Sequence, residues 1–138
     1  MTVLTIGTFD LLHEGHLNLF RAGKKLAGKG NFIVGVNSDE FVQQYRKKPP
    51  AIPYTTRAAV VGAVRQVSWT HKNDGPGKAL IVSTRPDVLL IGSDWAIRDY
   101  YEQIGMTQRD LDGYDILLVY VPYTDGISST LLRGGLSG

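Results

Sequence analysis

Five short apolar runs, separated by longer stretches with helical spacing, most constrain what this chain can fold into. They fall at residues 3–6, 32–36, 67–69, 87–92 and 116–121. Each is rich in aliphatic or β-branched residues and has the length of a buried or edge strand. Between the first two, Leu17, Leu19, Phe20, Gly23, Leu26 and Ala27 recur three and four apart, the period of a helix with one apolar face. Ser38 is placed to cap a second helix through Asp39, Glu40, Phe41 and Val42. Thr55 or Thr56 is placed to cap a third, with Val60, Val61 and Val64 inward, Arg57 in the first turn and Arg65 at the end. Residues 78–84 read as a short helix and 97–104 as mixed helix. Thr107 and Asp110 make a capping box for one further turn, and Ser128 or Ser129 caps a last helix. Strands alternating with helices imply a single α/β domain over residues 1–138, a parallel sheet with helices on both faces. Ligands of such sheets bind beyond the carboxyl ends of the strands, where strand order reverses. Polar clusters follow three of the runs in that position: Thr8 to His16, Ser93 to Trp95, and Tyr123 to Thr130.

Composition narrows the function classes. A net charge of +2 is too small to imply nucleic-acid binding. The absence of cysteine excludes disulfides, thiolate metal sites and a cysteine nucleophile, and suits a reducing compartment. No apolar run approaches the eighteen or so residues of a membrane span. Met1 stands almost directly before the first strand, with no signal-peptide pattern. The expectation is a soluble cytoplasmic protein with neither nucleic acid nor membrane as partner.

The chemistry concentrates in Gly7-Thr8-Phe9-Asp10-Leu11-Leu12-His13-Glu14-Gly15-His16, a strand-to-helix turn. A helix start offers free backbone N–H groups and a positive dipole end, which suit phosphate. His13 and His16, three apart in a first turn, point to the same side, and Gly15 leaves room for a ligand to approach. The pattern of residues 23–29 imitates a phosphate loop, but Gly30 stands where a hydroxyl is needed and the stretch ends a helix. The histidine spacing is one short of the zinc-protease motif, and His71 lies in a distant loop, so a zinc site lacks its third ligand. Arg46, Lys47 and Lys48 open a loop containing Pro49, Pro50 and Pro53, a basic lid for phosphates. Gly126, Ser128, Ser129 and Thr130 offer more hydroxyls than a helix cap needs, which suggests a second phosphate site.

Gly-Thr-Phe-Asp-x-x-His-x-Gly-His, together with Gly126-Ile127-Ser128-Ser129-Thr130, resembles the signature of the cytidylyltransferase-type nucleotidyltransferases. Ser38 to Phe41, Lys47-Lys48, Arg57 with Arg65, and Gly92 to Trp95 resemble further landmarks in the same order. The resemblance implies a Rossmann-like domain with five parallel strands in the order 3-2-1-4-5. It implies transfer of CMP from CTP to a small phosphorylated alcohol or polyol of the glycerol 3-phosphate kind, with pyrophosphate released. By position it makes His13, His16, Lys47 and Arg57 catalytic. Thr8, Phe9, Gly15, Asp94, Trp95, Thr124, Gly126, Ile127, Ser128, Ser129 and Thr130 would hold the nucleotide. Asp10, Lys78 and Arg57 would meet the acceptor. Mg²⁺ would arrive with the nucleotide, since no carboxylate cluster forms a cage for it, and the protein would be a homodimer. Tyr123 departs from the pattern, where relatives carry arginine. An adenylyltransferase using ATP and a non-catalytic nucleotide-binding module are the alternatives.

Overall fold

The computed structural model describes residues 1–92 and 99–122. Along them run β1 (Thr2–Gly7), α1 (Glu14–Ala27), β2 (Asn31–Asn37), α2 (Asp39–Arg46), α3 (Tyr54–Gly62) and β3 (Trp69–Asn73). Then follow α4 (Lys78–Thr84), β4 (Val88–Gly92), α5 (Tyr100–Ile104), α6 (Gln108–Gly113) and β5 (Leu117–Val121). The strands form one parallel sheet in the order β3-β2-β1-β4-β5, as expected.

Successive strand residues point to opposite faces, and both faces of this sheet are covered. Leu4, Ile33, Leu89 and Ile91 pack with Leu80 and Ile81 of α4, Ile104 of α5 and Leu111 of α6. Val3, Val34, Val36, Val88 and Leu90 pack on the other side with Phe20 of α1 and Val61 of α3. This double burial is why the central strands read as continuous apolar runs. The close approach of α1 to β2 needs Gly23, because a Cβ there would run into the Phe32 ring. Sheet growth reverses between β1 and β4, so the switch-point crevice lies at their carboxyl ends. Among the described residues no helix is long and apolar enough to cross a membrane.

Several local expectations are corrected. The edge strand is Trp69–Asn73, beginning where the expected run 67–69 ends. It lies at the sheet border with Trp69, His71 and Lys72 exposed, so apolarity does not mark it, and His71 belongs to a strand instead of a loop. Helix α3 begins at Tyr54 with Pro53 as its N-cap residue and no side-chain cap from Thr55 or Thr56. Its first N–H is taken by a distant group: Tyr54 N donates to Asp39 Oδ1 at 3.0 Å. Only Val61 of its valines is fully buried; Val60 is 47% exposed, and Arg65 lies beyond the helix. Helix α2 runs to Arg46, which therefore belongs to the helix and not to the basic loop.

Candidate functional site

The turn after β1 is strained and wedged in place. Phe9 adopts φ 54°, a left-handed conformation that bulky residues avoid and that costs on the order of 1–3 kcal/mol. Burial compensates, since the Phe9 ring sits 5.4 Å from Phe20 and meets His16 edge-on at 5.3 Å. Gly7 beneath it has no room for a side chain: an added Cβ would lie 2.8 Å from Phe9 Cζ. The Phe9 side chain thus supports His16 from below, and only its backbone is left to meet a nucleotide.

His13 and His16 build the start of α1 themselves. His13 is the N-cap residue, its Nδ1 accepting from Gly15 N at 3.0 Å, while His16 Nδ1 accepts from His13 N at 3.2 Å. This is a capping box made of two imidazoles where hydroxyl and carboxylate are usual. The rings stack with centroids 3.8 Å apart. Because both Nδ1 atoms accept, each neutral ring carries its proton on Nε2. Burial lowers the pKa of His13, and burial followed by the charge of His13 pushes His16 down to about 3. At neutral pH the pair is uncharged, and His16 offers an Nε2–H donor of fixed orientation. His13 Nε2 is buried, whereas His16 is partly open.

Beneath the turn lies a polar floor that sequence reasoning missed. Arg57 has a side chain fully shielded from solvent, and its guanidinium donates to Thr8 O at 2.7 Å, Asn37 O at 2.8 Å and Asp39 Oδ1 at 2.7 Å, with Nε on Ile52 O at 2.8 Å. The expectation of Arg57 as a catalytic or acceptor-binding cation therefore meets a buried clamp, its charge answered by Asp39. Burial alone would raise Asp39, but the Arg57 hydrogen bond and the Tyr54 N–H outweigh it and hold the carboxyl below its usual range. Asn73 Nδ2 donates to Asn37 Oδ1 at 2.9 Å, and Asn37 Nδ2 donates to Thr8 Oγ at 3.1 Å. Tyr45 of α2 completes the row, its Oη 2.6 Å from Thr8 Oγ. The available signal was a polar residue closing each of two strands, Asn37 on an apolar run and Asn73 on the edge strand.

Asp10 also has an inward role. It accepts from Ala51 N at 2.9 Å and Ile52 N at 2.8 Å, and lies 3.5 Å from Arg46 Nη1. Expected at the acceptor, it instead ties the far end of the basic loop to the turn. With Arg46 in α2 and residues 51–53 pinned, the free arch shrinks to Lys47, Lys48, Pro49 and Pro50. Lys47 opens it at φ 63° and is exposed, as is Lys48. Lys78 is exposed at the start of α4, on the opposite face of the sheet from α1, close enough to Asp110 to help lower that carboxyl after the Thr107 hydrogen bonds. The structure thus gathers Thr8, Phe9, Asp10, His13, Gly15 and His16 at one turn and roots the arch of Lys47 beside it, while Lys78 starts α4 just after Gly77, which packs against the Ile6 side chain of β1. Asp94, Trp95, Tyr123, Thr124, Gly126, Ile127, Ser128, Ser129 and Thr130 lie outside the described residues.

Comparison with known proteins finds relatives over nearly the whole chain. Residues 4–135 match the family described as cytidylyltransferase-like. The chain is 32% identical over 144 residues to a glycerol-3-phosphate cytidylyltransferase of Bacillus subtilis, covering 99% of this chain and 97% of that one. It is 31% identical over 134 residues to an FAD synthase of Korarchaeum cryptofilum, covering 95% and 88%. Among solved structures, a lipopolysaccharide core biosynthesis protein of Thermoplasma volcanium superposes with a TM-score of 0.70 at 23% identity, covering 90% of this chain and 96% of that one. That last likeness concerns the fold alone.

Proposed function

Since the chain belongs to the cytidylyltransferase-like family of nucleotidyltransferases, we propose that it transfers CMP from CTP to a small phosphorylated alcohol or polyol. The observation that carries this reading is the histidine pair. Two neutral imidazoles, each with Nδ1 tied to backbone, start a helix at the switch point of the sheet. An oxygen of the acceptor phosphate attacks the α-phosphorus, the new P–O bond forms, and the bond to the β-phosphate breaks with its electron pair leaving on pyrophosphate. A phosphate monoester has a second pKa near 6, so it is already a dianionic nucleophile at neutral pH and needs no strong base. Catalysis is then positioning and charge stabilisation. His16 donates its Nε2 proton to phosphoryl oxygens with His13 stacked behind it, the amide groups at the α1 start add fixed dipole, and Lys47 brings positive charge from the arch. Mg²⁺ would come with the triphosphate. It would be held chiefly by substrate phosphate oxygens, and would neutralise charge on them.

The similarity to an FAD synthase supports a second reading, transfer of AMP from ATP, because FAD itself contains an adenine nucleotide. Pyrophosphate release, measured with CTP or ATP against a panel of sugar, polyol and amino-alcohol phosphates, separates the two. Turnover with CTP and a polyol phosphate is the expected result. Turnover with ATP alone would replace the first reading by the second, and no release with any pair would remove both.

A further inference from the structure

A one-way row of hydrogen bonds ends on Tyr45, and its direction can be read from its first member. The carbonyl of Gly75 can only accept, so the group of Asn73 facing it at 2.9 Å is the amide nitrogen. The same Nδ2, through its other hydrogen, meets Asn37, which must present Oδ1 there and therefore Nδ2 to Thr8. Thr8 Oγ thus receives a proton from Asn37 and still has its own to place. Thr8 is 8% exposed, and among the described residues the other polar partner of its hydroxyl is Tyr45 Oη, at 2.6 Å. A buried hydroxyl proton without an acceptor is costly, so Thr8 donates and Tyr45 accepts. The phenolic proton is then directed away from the row. Tyr45 is 39% exposed and meets no protein acceptor among the described residues, only the Phe41 ring at 5.0 Å and the Arg46 guanidinium at 5.9 Å from its own ring. Donors aligned head to tail polarise one another, so the last O–H of such a row is a strengthened donor.

We propose that Tyr45 Oη is a phosphate-binding donor, reaching a phosphate oxygen at the mouth of the site between Thr8 and the Lys47 arch. It rests on the nucleotidyltransferase reading and adds to it a residue that no spacing in the sequence indicates. The phosphate can belong to the nucleotide or to the acceptor; a hydroxyl donor serves either.

Tyr45→Phe keeps the ring against Phe41 and removes only the donor. Wild type and variant are titrated calorimetrically with CTP, inorganic pyrophosphate and glycerol 3-phosphate in turn, with thermal melts of both proteins. A hydrogen bond to a charged oxygen predicts binding weakened roughly tenfold or more. CTP and pyrophosphate weaken together if Tyr45 holds the nucleotide, glycerol 3-phosphate alone if it holds the acceptor, and the melting temperature moves little. Unchanged affinities in a variant whose wild type binds CTP would overturn the proposal while leaving the functional reading intact. Equal weakening of all three ligands with a large drop in melting temperature would mark a purely structural role, and also overturn it. A wild type that binds none of the three removes the functional reading, and the proposal with it.

Discussion

The turn after β1 and the arch of residues 47–50 adjoin the same space, yet they are built in opposite ways. The turn is neutral, strained and packed: two uncharged imidazoles fixed by the backbone, Phe9 wedged under them, and Arg57 clamping the floor. The arch is cationic and open, with exposed lysines held only at its two ends, by Asp10 on one side and α2 on the other. Rigid neutral donors supply geometry without having to be reorganised when a ligand arrives. Exposed lysines supply charge but little orientation. Among the described residues the charge of Arg57, expected in the chemistry, is answered by Asp39 within the fold, and the exposed positive charge beside the turn lies in the arch.

The largest expected effect tests that the floor is structural. Arg57→Met would strand Asp39 and the carbonyls of Thr8, Asn37 and Ile52. Removing one member of a buried pair costs about 3–5 kcal/mol, and the partial exposure of Asp39 places this case near 3. Denaturant titration should show that loss. A fully stable variant with lowered turnover would instead return Arg57 to the chemistry.

Next comes the rigid side of the contrast. His16→Ala should lower kcat about 10²- to 10³-fold, the usual effect of removing one such donor, while circular dichroism shows the fold retained. Turnover within a factor of two of wild type would break the assignment of the turn as the centre of charge stabilisation.

The arch should respond to charge and position together. Lys47→Ala should weaken kcat/KM by about tenfold or more, whereas Lys48→Ala should change it less than threefold, with both losses shrinking as salt rises. Equal losses from the two variants would mean the arch acts as a diffuse cationic surface.

The smallest effect is on stability against pH. Burial holds His16 near 3 in the folded chain against about 6.5 unfolded, so its contribution is complete above pH 6.5 and is lost progressively as pH falls toward 3. Between pH 7 and about pH 5.5 the loss should be about 1 kcal/mol, read as a falling melting temperature. His16→Asn, which cannot titrate, should flatten that dependence; identical slopes would show that His16 is not held neutral.

Much of the architecture was legible in the chain because its signals are local. Strand runs separated by helical periods imply a parallel sheet whatever surrounds them, and the observed β4 and α4 lie within one residue of the expected ranges. The Ser38 cap and the Thr107–Asp110 box are likewise closed within a few residues, and both formed as read. The pairing of His13 and His16 is local too, closed by a capping box between residues three apart, with His13 just outside the helix. What tertiary structure decided were the contacts between residues far apart in the chain. Arg57 reaches Thr8 across 49 positions, Asp10 holds Ile52 across 42, and Asn73 sets the orientation of Asn37 across 36. A lone arginine or aspartate looks the same in sequence whether it faces a ligand or a neighbouring carbonyl. Only the packing of α2 and α3 against the ends of β1 and β2 decides which, because desolvation makes every polar group enclosed there take the nearest partner the fold provides.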